Sequence, residues 1–164
     1  MDNGINIKHN SFYAIGLSYK KADAETRGRF SLDAVAQAML LQQARVEGIE
    51  SLIVTSTCNR TEIYGFAQHP FQLIKLLCEN SQGTVEEFQK VAYVFKGSEA
   101  INHMFRVGTG LDSQILGDFE IISQLKTAFA QSKDAQLVNT FLERLVNSVI
   151  QASKKISCTT LYGI

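Results

Sequence analysis

The segment "SLIVTSTCNRTEIYGFA", residues 51–67, decides the fold. Two β-rich runs, 51–56 and 62–67, are joined by a short polar link, and this spacing favours an antiparallel hairpin. The link places a free cysteine, Cys58, at the end of the first strand and beside an arginine. The same segment therefore bears on the fold, through the predicted hairpin, and on chemistry, through the cysteine.

The residues before the hairpin predict a strand followed by a helix. Residues 12–19, rich in aromatic and β-branched side chains, predict a strand. Ser31 is predicted as the N-cap of a helix that ends at Gly48. The apolar positions of this helix recur at i, i+3 and i+4, and are Leu32, Val35, Ala36, Met39 and Leu40.

The residues after the hairpin predict a second helical connection and a fourth strand. Pro70 begins a helix, because proline is tolerated in the first turn. Thr84 caps a short continuation, and residues 91–95 form the strand. The resulting order, β-α-β-β-α-β, is the ferredoxin-like split βαβ arrangement of an α+β protein.

From residue 97 onward the pattern becomes helical. Ser98 is predicted to cap a helix that runs to about Val107, and further helices are predicted at 118–131 and 135–156. We therefore expect two parts. They are an α+β part over residues 1–96 and a helical part over residues 97–164.

Composition excludes several classes of protein. The chain has 164 residues, 45% of them hydrophobic and 20% charged, and its formal net charge is zero. This overall balance predicts neither a nucleic-acid surface nor a membrane surface. No amino-terminal signal peptide and no membrane span is predicted, so the cytoplasm is the expected compartment.

The three cysteines differ in their surroundings. Their odd number and wide spacing argue against a disulfide framework and a cysteine-paired zinc site, and no metal site is predicted. Cys78 follows apolar residues at helical spacing and is predicted to be a small core side chain. Cys158 has no identifiable partner. Cys58 has polar neighbours and a nearby cation, Arg60, which favours a reactive thiolate, although a half-exposed inert thiol fits the same residues.

His103 is the second candidate for chemistry. Its predicted helix has an apolar stripe of Ile101, Met104 and Phe105, and His103 points nearly opposite to it. Two interpretations remain open: an exposed surface histidine, or a histidine in a cleft that donates a proton or a hydrogen bond.

A glycine-punctuated loop, "TGLDSQILGD" at 109–118, follows that helix. It matches neither a Walker loop nor a dinucleotide fingerprint. It is either a structured interhelical loop or a polar substrate wall to which Asp112, Ser113 and Asp118 contribute.

Four segments together resemble the catalytic domain of the glutamyl-tRNA reductase family, over nearly all 164 residues. They are "STCNRTEIYG" (56–65), "HMFRVGTGLDSQILGDFEIISQLKTAF" (103–129), "FYAIGLSYKKADAETRGRFSLD" (12–33) and "ASKKISCTTLYGI" (152–164). The cysteine segment is the most specific. The resemblance implies reduction of glutamyl-tRNA by NADPH to glutamate-1-semialdehyde, a step of tetrapyrrole biosynthesis.

The resemblance also implies roles for individual residues. Cys58 would be the nucleophile that forms a thioester with the glutamyl group, and His103 the active-site histidine. Arg60 would pair with a substrate carboxylate. The remaining positions that match substrate-contacting positions are Thr57, Asn59, Ser113, Asp118, Phe119, Glu120 and Gln124.

Two departures from the family pattern stand out. Residues 117–121 read Gly-Asp-Phe-Glu-Ile where the family usually has Gly-Glu-Pro-Gln-Ile, which implies altered or weakened substrate contacts. The family's NADPH-binding and dimerisation domains have no counterpart here. The resemblance therefore implies a catalytic domain whose NADPH binds in a domain absent from this chain.

The resemblance further implies a homodimer in the full-length protein, and contact with the aminotransferase that uses the semialdehyde. Two alternatives remain. One is a non-catalytic module that binds glutamyl-tRNA, and the other is a redox-sensing thiol protein.

Overall fold

The computed structural model describes residues 11–114 and 120–162, and side chains as far as Ile156. The strands are β1 (Ser11–Ser18), β2 (Leu52–Ser56), β3 (Arg60–Ala67) and β4 (Tyr93–Lys96). The helices of the first half are α1 (Ala24–Phe30), α2 (Ala34–Val46), α3 (Pro70–Glu79) and α4 (Val85–Val91). Those of the second half are α5 (Ser98–Gly108), α6 (Glu120–Asp134) and α7 (Thr140–Tyr162).

The four strands form one antiparallel sheet in the order β2-β3-β1-β4. In this order the two halves of the split βαβ unit interleave, so the ferredoxin-like prediction is confirmed. The predicted hairpin is the β2–β3 pair, in which Ser56 faces Thr61. Pro70 begins α3, and Thr84 caps α4 with a capping box, both as predicted.

Helices cover both faces of the sheet. Alternate side chains of β1 point to opposite sides, so Ile15 belongs to the core beneath α1–α4 and Ala14 to the core beneath α5–α7. The helical second half therefore packs on the sheet face that an isolated ferredoxin-like unit leaves open. The division into parts at residues 96 and 97 stays a prediction.

Two details of the first half were predicted wrongly. Ser31 is the C-cap of α1, a short polar helix that the sequence did not reveal, and Asp33 caps α2 by accepting a hydrogen bond from the Ala36 amide at 2.8 Å. Aspartate and serine are about equally good N-caps, so composition could not choose between them. The predicted apolar stripe is correct at Leu32 and Leu40, which are buried, but wrong at Val35 and Met39, which are exposed. The buried positions of α2 are Leu40, Leu41 and Ala44.

The start of α5 also differs from the prediction. Ser98 is its first residue, and the cap is Gly97 at φ +62°, a conformation that glycine adopts without strain. No helix among the described residues combines the length and apolar character that crossing a bilayer requires.

Candidate active site

Cys58 lies at the tip of a tight turn between β2 and β3. The Thr57 amide donates to the Arg60 carbonyl at 2.8 Å. The Thr57 hydroxyl accepts hydrogen bonds from the amides of Asn59 and Arg60, at 3.1 and 3.2 Å. A threonine side chain that binds amides two and three residues later fixes the turn without help from Cys58. The cysteine is therefore exposed on a rigid base.

Arg27, an arginine of α1, also stabilises this turn through side-chain hydrogen bonds. Arg27 of α1 donates through Nε to the Cys58 carbonyl at 3.0 Å and through Nη1 to the Ala22 carbonyl at 2.7 Å. The Tyr19 amide donates to the Asn59 carbonyl at 2.9 Å. Arg27 is not among the predicted site residues, because no sequence pattern predicts α1.

Cys58 opens into a small pocket, which we call the cysteine pocket, of about 110 Å³. Its lining residues are Tyr19, Thr57, Cys58, Asn59, Arg60, Ser113, Gln114, Glu120, Ile121 and Gln124. The structure thus brings together most residues predicted for the site, although their roles remain predictions. Asp118 and Phe119 lie outside the described residues. Tyr19, Gln114 and Ile121 were not predicted, and no motif marks them.

Arg60 is buried and already engaged by carboxylates. Its Nη2 donates to the Asp112 carbonyl at 2.6 Å and to Asp112 Oδ2 at 2.9 Å. Its Nη1 lies 3.5 Å from Glu62 Oε2, an ion-pair distance. Burial alone would lower the pKa of Arg60, but the Glu62 carboxylate and the Asp112 contact hold it above its ordinary value.

Glu62 is the centre of this network and is 0% exposed. Its Oε1 accepts from the Tyr64 hydroxyl at 2.7 Å, and its Oε2 accepts from the Tyr93 hydroxyl and from His103 Nε2. Burial alone would raise the pKa of Glu62, but the hydrogen bond and charge of His103 and the charge of Arg60 outweigh it, so the pKa is lowered. An ionised carboxylate only accepts, which makes His103 Nε2 the donor.

Asp112 joins this network to the surface. Besides Arg60, it binds the Lys20 ammonium. Burial alone would raise the pKa of Asp112, but its contacts with Lys20 and Arg60 lower it. The two carboxylates, Asp112 and Glu62, therefore compensate the charges of Lys20 and Arg60.

His103 is 8% exposed, so the surface interpretation is wrong. The buried positions of α5 follow a different stripe from the predicted one and include Ala100, His103, Met104 and Val107. A histidine can occupy this stripe because a buried carboxylate, Glu62, satisfies it. His103 lines a different pocket from Cys58.

Cys78 does not line the cysteine pocket. Cys78 is buried as predicted, and burial together with the charges of Glu79 and Glu87 raises its pKa to about 11. The side chain of Cys158 lies outside the described residues. No three histidine, cysteine or acidic side chains within the described ranges are grouped to hold a metal ion.

Comparisons with known proteins identify the family of this chain. The family described as "Glutamyl-tRNAGlu reductase, N-terminal domain" matches residues 15–160. The glutamyl-tRNA reductase of Flavobacterium psychrophilum is 76% identical over 160 residues, which cover 98% of this chain and 39% of that protein. That of Christiangramia forsetii is 73% identical over 149 residues, covering 91% of this chain and 36% of that protein.

A solved structure, glutamyl-tRNA reductase from Methanopyrus kandleri, shares the fold. Its TM-score is 0.73 at 23% identity, and the match covers 88% of this chain and 34% of that chain. The chain therefore spans less than two-fifths of the length of these relatives. The match over residues 15–160 and the high identities show that this chain belongs to the glutamyl-tRNA reductase N-terminal domain family.

Proposed function

We propose that this chain is the catalytic domain of an NADPH-dependent glutamyl-tRNA reductase of tetrapyrrole biosynthesis, and that Cys58 takes the glutamyl group from glutamyl-tRNA as a thioester. One observation carries the proposal. An exposed cysteine stands on a rigid turn and opens into a pocket lined with polar side chains. Exposure leaves the sulfur accessible to an ester, and the rigid turn fixes its direction of attack.

The chemical step is an acyl transfer. The Cys58 thiolate attacks the ester carbonyl of the glutamyl group, and the bond between that carbonyl and the ribose oxygen of the tRNA breaks. The ribose oxygen leaves and takes up a proton, and the glutamyl group remains on sulfur as a thioester. Covalent capture divides one difficult displacement into two easier steps.

Uncommitted donors in the cysteine pocket support this step. The side-chain amides of Asn59 and Gln124 line the pocket and make no hydrogen bond to another described residue. Amide donors that are already in place can stabilise the oxyanion of the tetrahedral intermediate. Ser113, which lines the same pocket, can bind the polar groups of the glutamyl moiety.

Arg60 is proposed to bind the substrate carboxylate in a particular way. An arginine has five N–H donors, and the two on Nη2 are used by Asp112. One donor on Nη1 is directed at Glu62, so Nε and the second Nη1 donor remain for a ligand, while Asp112 and Glu62 hold the guanidinium plane in position. Because these acids compensate its charge, Arg60 would contribute directional hydrogen bonds more than net charge.

NADPH does not fit the described residues. The sheet is wholly antiparallel, and none of its strands leads through a glycine-rich turn into a helix, so a dinucleotide fold is absent from residues 11–114 and 120–162. NADPH, which supplies a hydride when bound, is therefore proposed to bind elsewhere in the full-length enzyme. What this chain contributes ends with the thioester.

We also propose the wider setting that the family relationship implies. The full-length enzyme would be a homodimer, and it would hand its reactive aldehyde to the aminotransferase that uses it. A free catalytic thiol stays reduced most readily in a reducing compartment, which favours the cytoplasm.

The test is single-turnover deacylation of glutamyl-tRNA by the 164-residue chain, without NADPH. Release of the glutamyl group from the tRNA should require Cys58 and stop in Cys58→Ser. The rate with Lys75→Gln, an exposed change on α3, should match that of the wild type. Tight binding of glutamyl-tRNA without any Cys58-dependent release would instead select the non-catalytic binding module.

A further inference from the structure

A second pocket of about 490 Å³ lies beside the cysteine pocket. We call it the aromatic cleft. Its volume is in the range of sites that hold a small ligand. It lies between β4 and α5, and residues that the proposed chemistry does not use form most of its lining.

One wall of the cleft is aromatic. The rings of Tyr93 and Phe95 are 5.4 Å apart at 28°, and Phe95 also lies 4.8 Å from the His103 ring. Both β4 side chains are only half-buried. Half-exposed stacked rings offer a flat surface to a nucleobase, whose faces are themselves aromatic.

The rim of the cleft carries free positive charge. Lys20 is paired with Asp112, but Lys21 and Arg106 form no ion pair with a carboxylate of the described residues. Glu99 is the other acid in the lining. Two cations that no described carboxylate pairs with, beside an aromatic wall, are the combination that binds a base together with its phosphates.

The cleft and the cysteine pocket share their dividing wall. Tyr19 lines the cysteine pocket and Lys20 the cleft, while Ser113 lines the cysteine pocket and Asp112 the cleft. Consecutive residues are about 3.8 Å apart between Cα atoms, so the pockets are immediate neighbours. A group esterified to a nucleotide could place its acyl end at Cys58 and its nucleotide in the cleft.

We propose that the aromatic cleft binds the single-stranded 3′-terminal nucleotides of the aminoacyl-tRNA, with a base on Tyr93 and Phe95 and phosphates on Lys21 and Arg106. The inference rests on the proposed function, because that function supplies an RNA whose unpaired end must lie next to Cys58. Single-stranded RNA ends are commonly recognised by such stacking.

The experiment measures binding of an unacylated, 5′-fluorescein-labelled RNA hairpin that ends in single-stranded ACCA. The same hairpin without the overhang is the ligand control. Fluorescence anisotropy is recorded at several salt concentrations with the 164-residue chain and with its Phe95→Leu, Lys21→Gln and Arg106→Gln variants. Lys75→Gln, on the opposite side of the sheet, is the matched charge control.

Phe95→Leu should weaken binding of the overhang hairpin by about tenfold, near the low end for the loss of one base–aromatic stack. Lys21→Gln and Arg106→Gln should each reduce the slope of log K against log salt by about 0.7, the value for one single-strand phosphate contact. Lys75→Gln should leave the slope unchanged, and the hairpin without overhang should not distinguish Phe95→Leu from wild type.

Equal binding of the overhang hairpin by the wild type and all three cleft variants would overturn the inference. Because the hairpin carries no glutamyl group, this result is independent of Cys58. Failure of the deacylation test would refute the proposed acyl transfer and leave the binding result as it stands. If Phe95→Leu impairs folding, the salt slopes of Lys21→Gln and Arg106→Gln, which change exposed side chains, still test the inference.

Discussion

Replacing the buried Glu62 with glutamine should destabilise the chain severely. The carboxylate accepts from Tyr64 on one oxygen and from Tyr93 and His103 on the other, and it is within ion-pair distance of Arg60. A glutamine keeps the shape, but it turns one acceptor into a donor that faces donors. It also leaves part of the Arg60 charge uncompensated.

The expected loss is about 3–5 kcal/mol in the free energy of unfolding, the cost of breaking a buried ion pair by removing one partner. For a chain of this size, that loss corresponds to a fall in Tm of roughly 6–20 °C. Chemical denaturation of the variant and of Glu86→Gln, an exposed control expected to change stability by less than about 0.5 kcal/mol, measures it.

The effect should also depend on pH in one direction. The pKa of Glu62 in the folded chain is below its ordinary value of 4.5. Ionisation of Glu62 therefore favours the folded state above pH 4.5, and this stabilisation is lost as the pH falls through the folded pKa. The difference between wild type and Glu62→Gln should be full at pH 6–7 and should shrink below about pH 4.5. A loss under 1 kcal/mol at pH 7, or an equal loss at pH 3.5, would refute this description of the network.

Three further predictions concern packing and reactivity. Gly16→Ala should destabilise the chain by about 3 kcal/mol or more, because a Cβ there would lie 2.4 Å from the Thr61 carbonyl oxygen. Gly28→Ala should instead stabilise α1 by about 0.5–1 kcal/mol, because nothing lies within 4 Å of its Cβ. Thermal melts of both variants measure the two changes. Peptide-resolved alkylation at pH 8 should label Cys58 in the native protein and Cys78 only after unfolding, and rapid native labelling of Cys78 would contradict its burial. Arg27→Lys should slow acyl transfer about tenfold, because one ammonium cannot donate to the carbonyls of Cys58 and Ala22 at the same time, as the guanidinium does. An unchanged single-turnover rate would show that Arg27 does not position the turn.

The sequence predicts those features that local patterns determine. The hairpin, the helix at Pro70 and the split βαβ order follow from strand alternation and from proline chemistry. The polar neighbours of Cys58 are equally local, and they argue against a buried cysteine but do not distinguish a reactive thiol from an inert one.

Features that depend on distant partners could not be predicted. Arg60 meets Asp112, which is 52 residues away, and His103 meets Glu62, which is 41 residues away. Without Glu62, His103 has no reason to be buried, so local periodicity predicts the wrong stripe of its helix. The partner of Arg60 also depends on a distant segment. Arg60 pairs with carboxylates, and not with the Cys58 thiol, because the loop that carries Asp112 folds back onto it.

The most direct measurement is the isolation of the acyl-enzyme. The 164-residue chain is mixed with glutamyl-tRNA, quenched in acid and mapped by peptide mass spectrometry, with and without neutral hydroxylamine. We predict one glutamyl group on Cys58 that hydroxylamine removes, as expected for a thioester, and none in Cys58→Ser. Release of glutamate from the tRNA at the same rate by Cys58→Ser, with no glutamyl adduct on the wild-type cysteine, would contradict nucleophilic catalysis by Cys58.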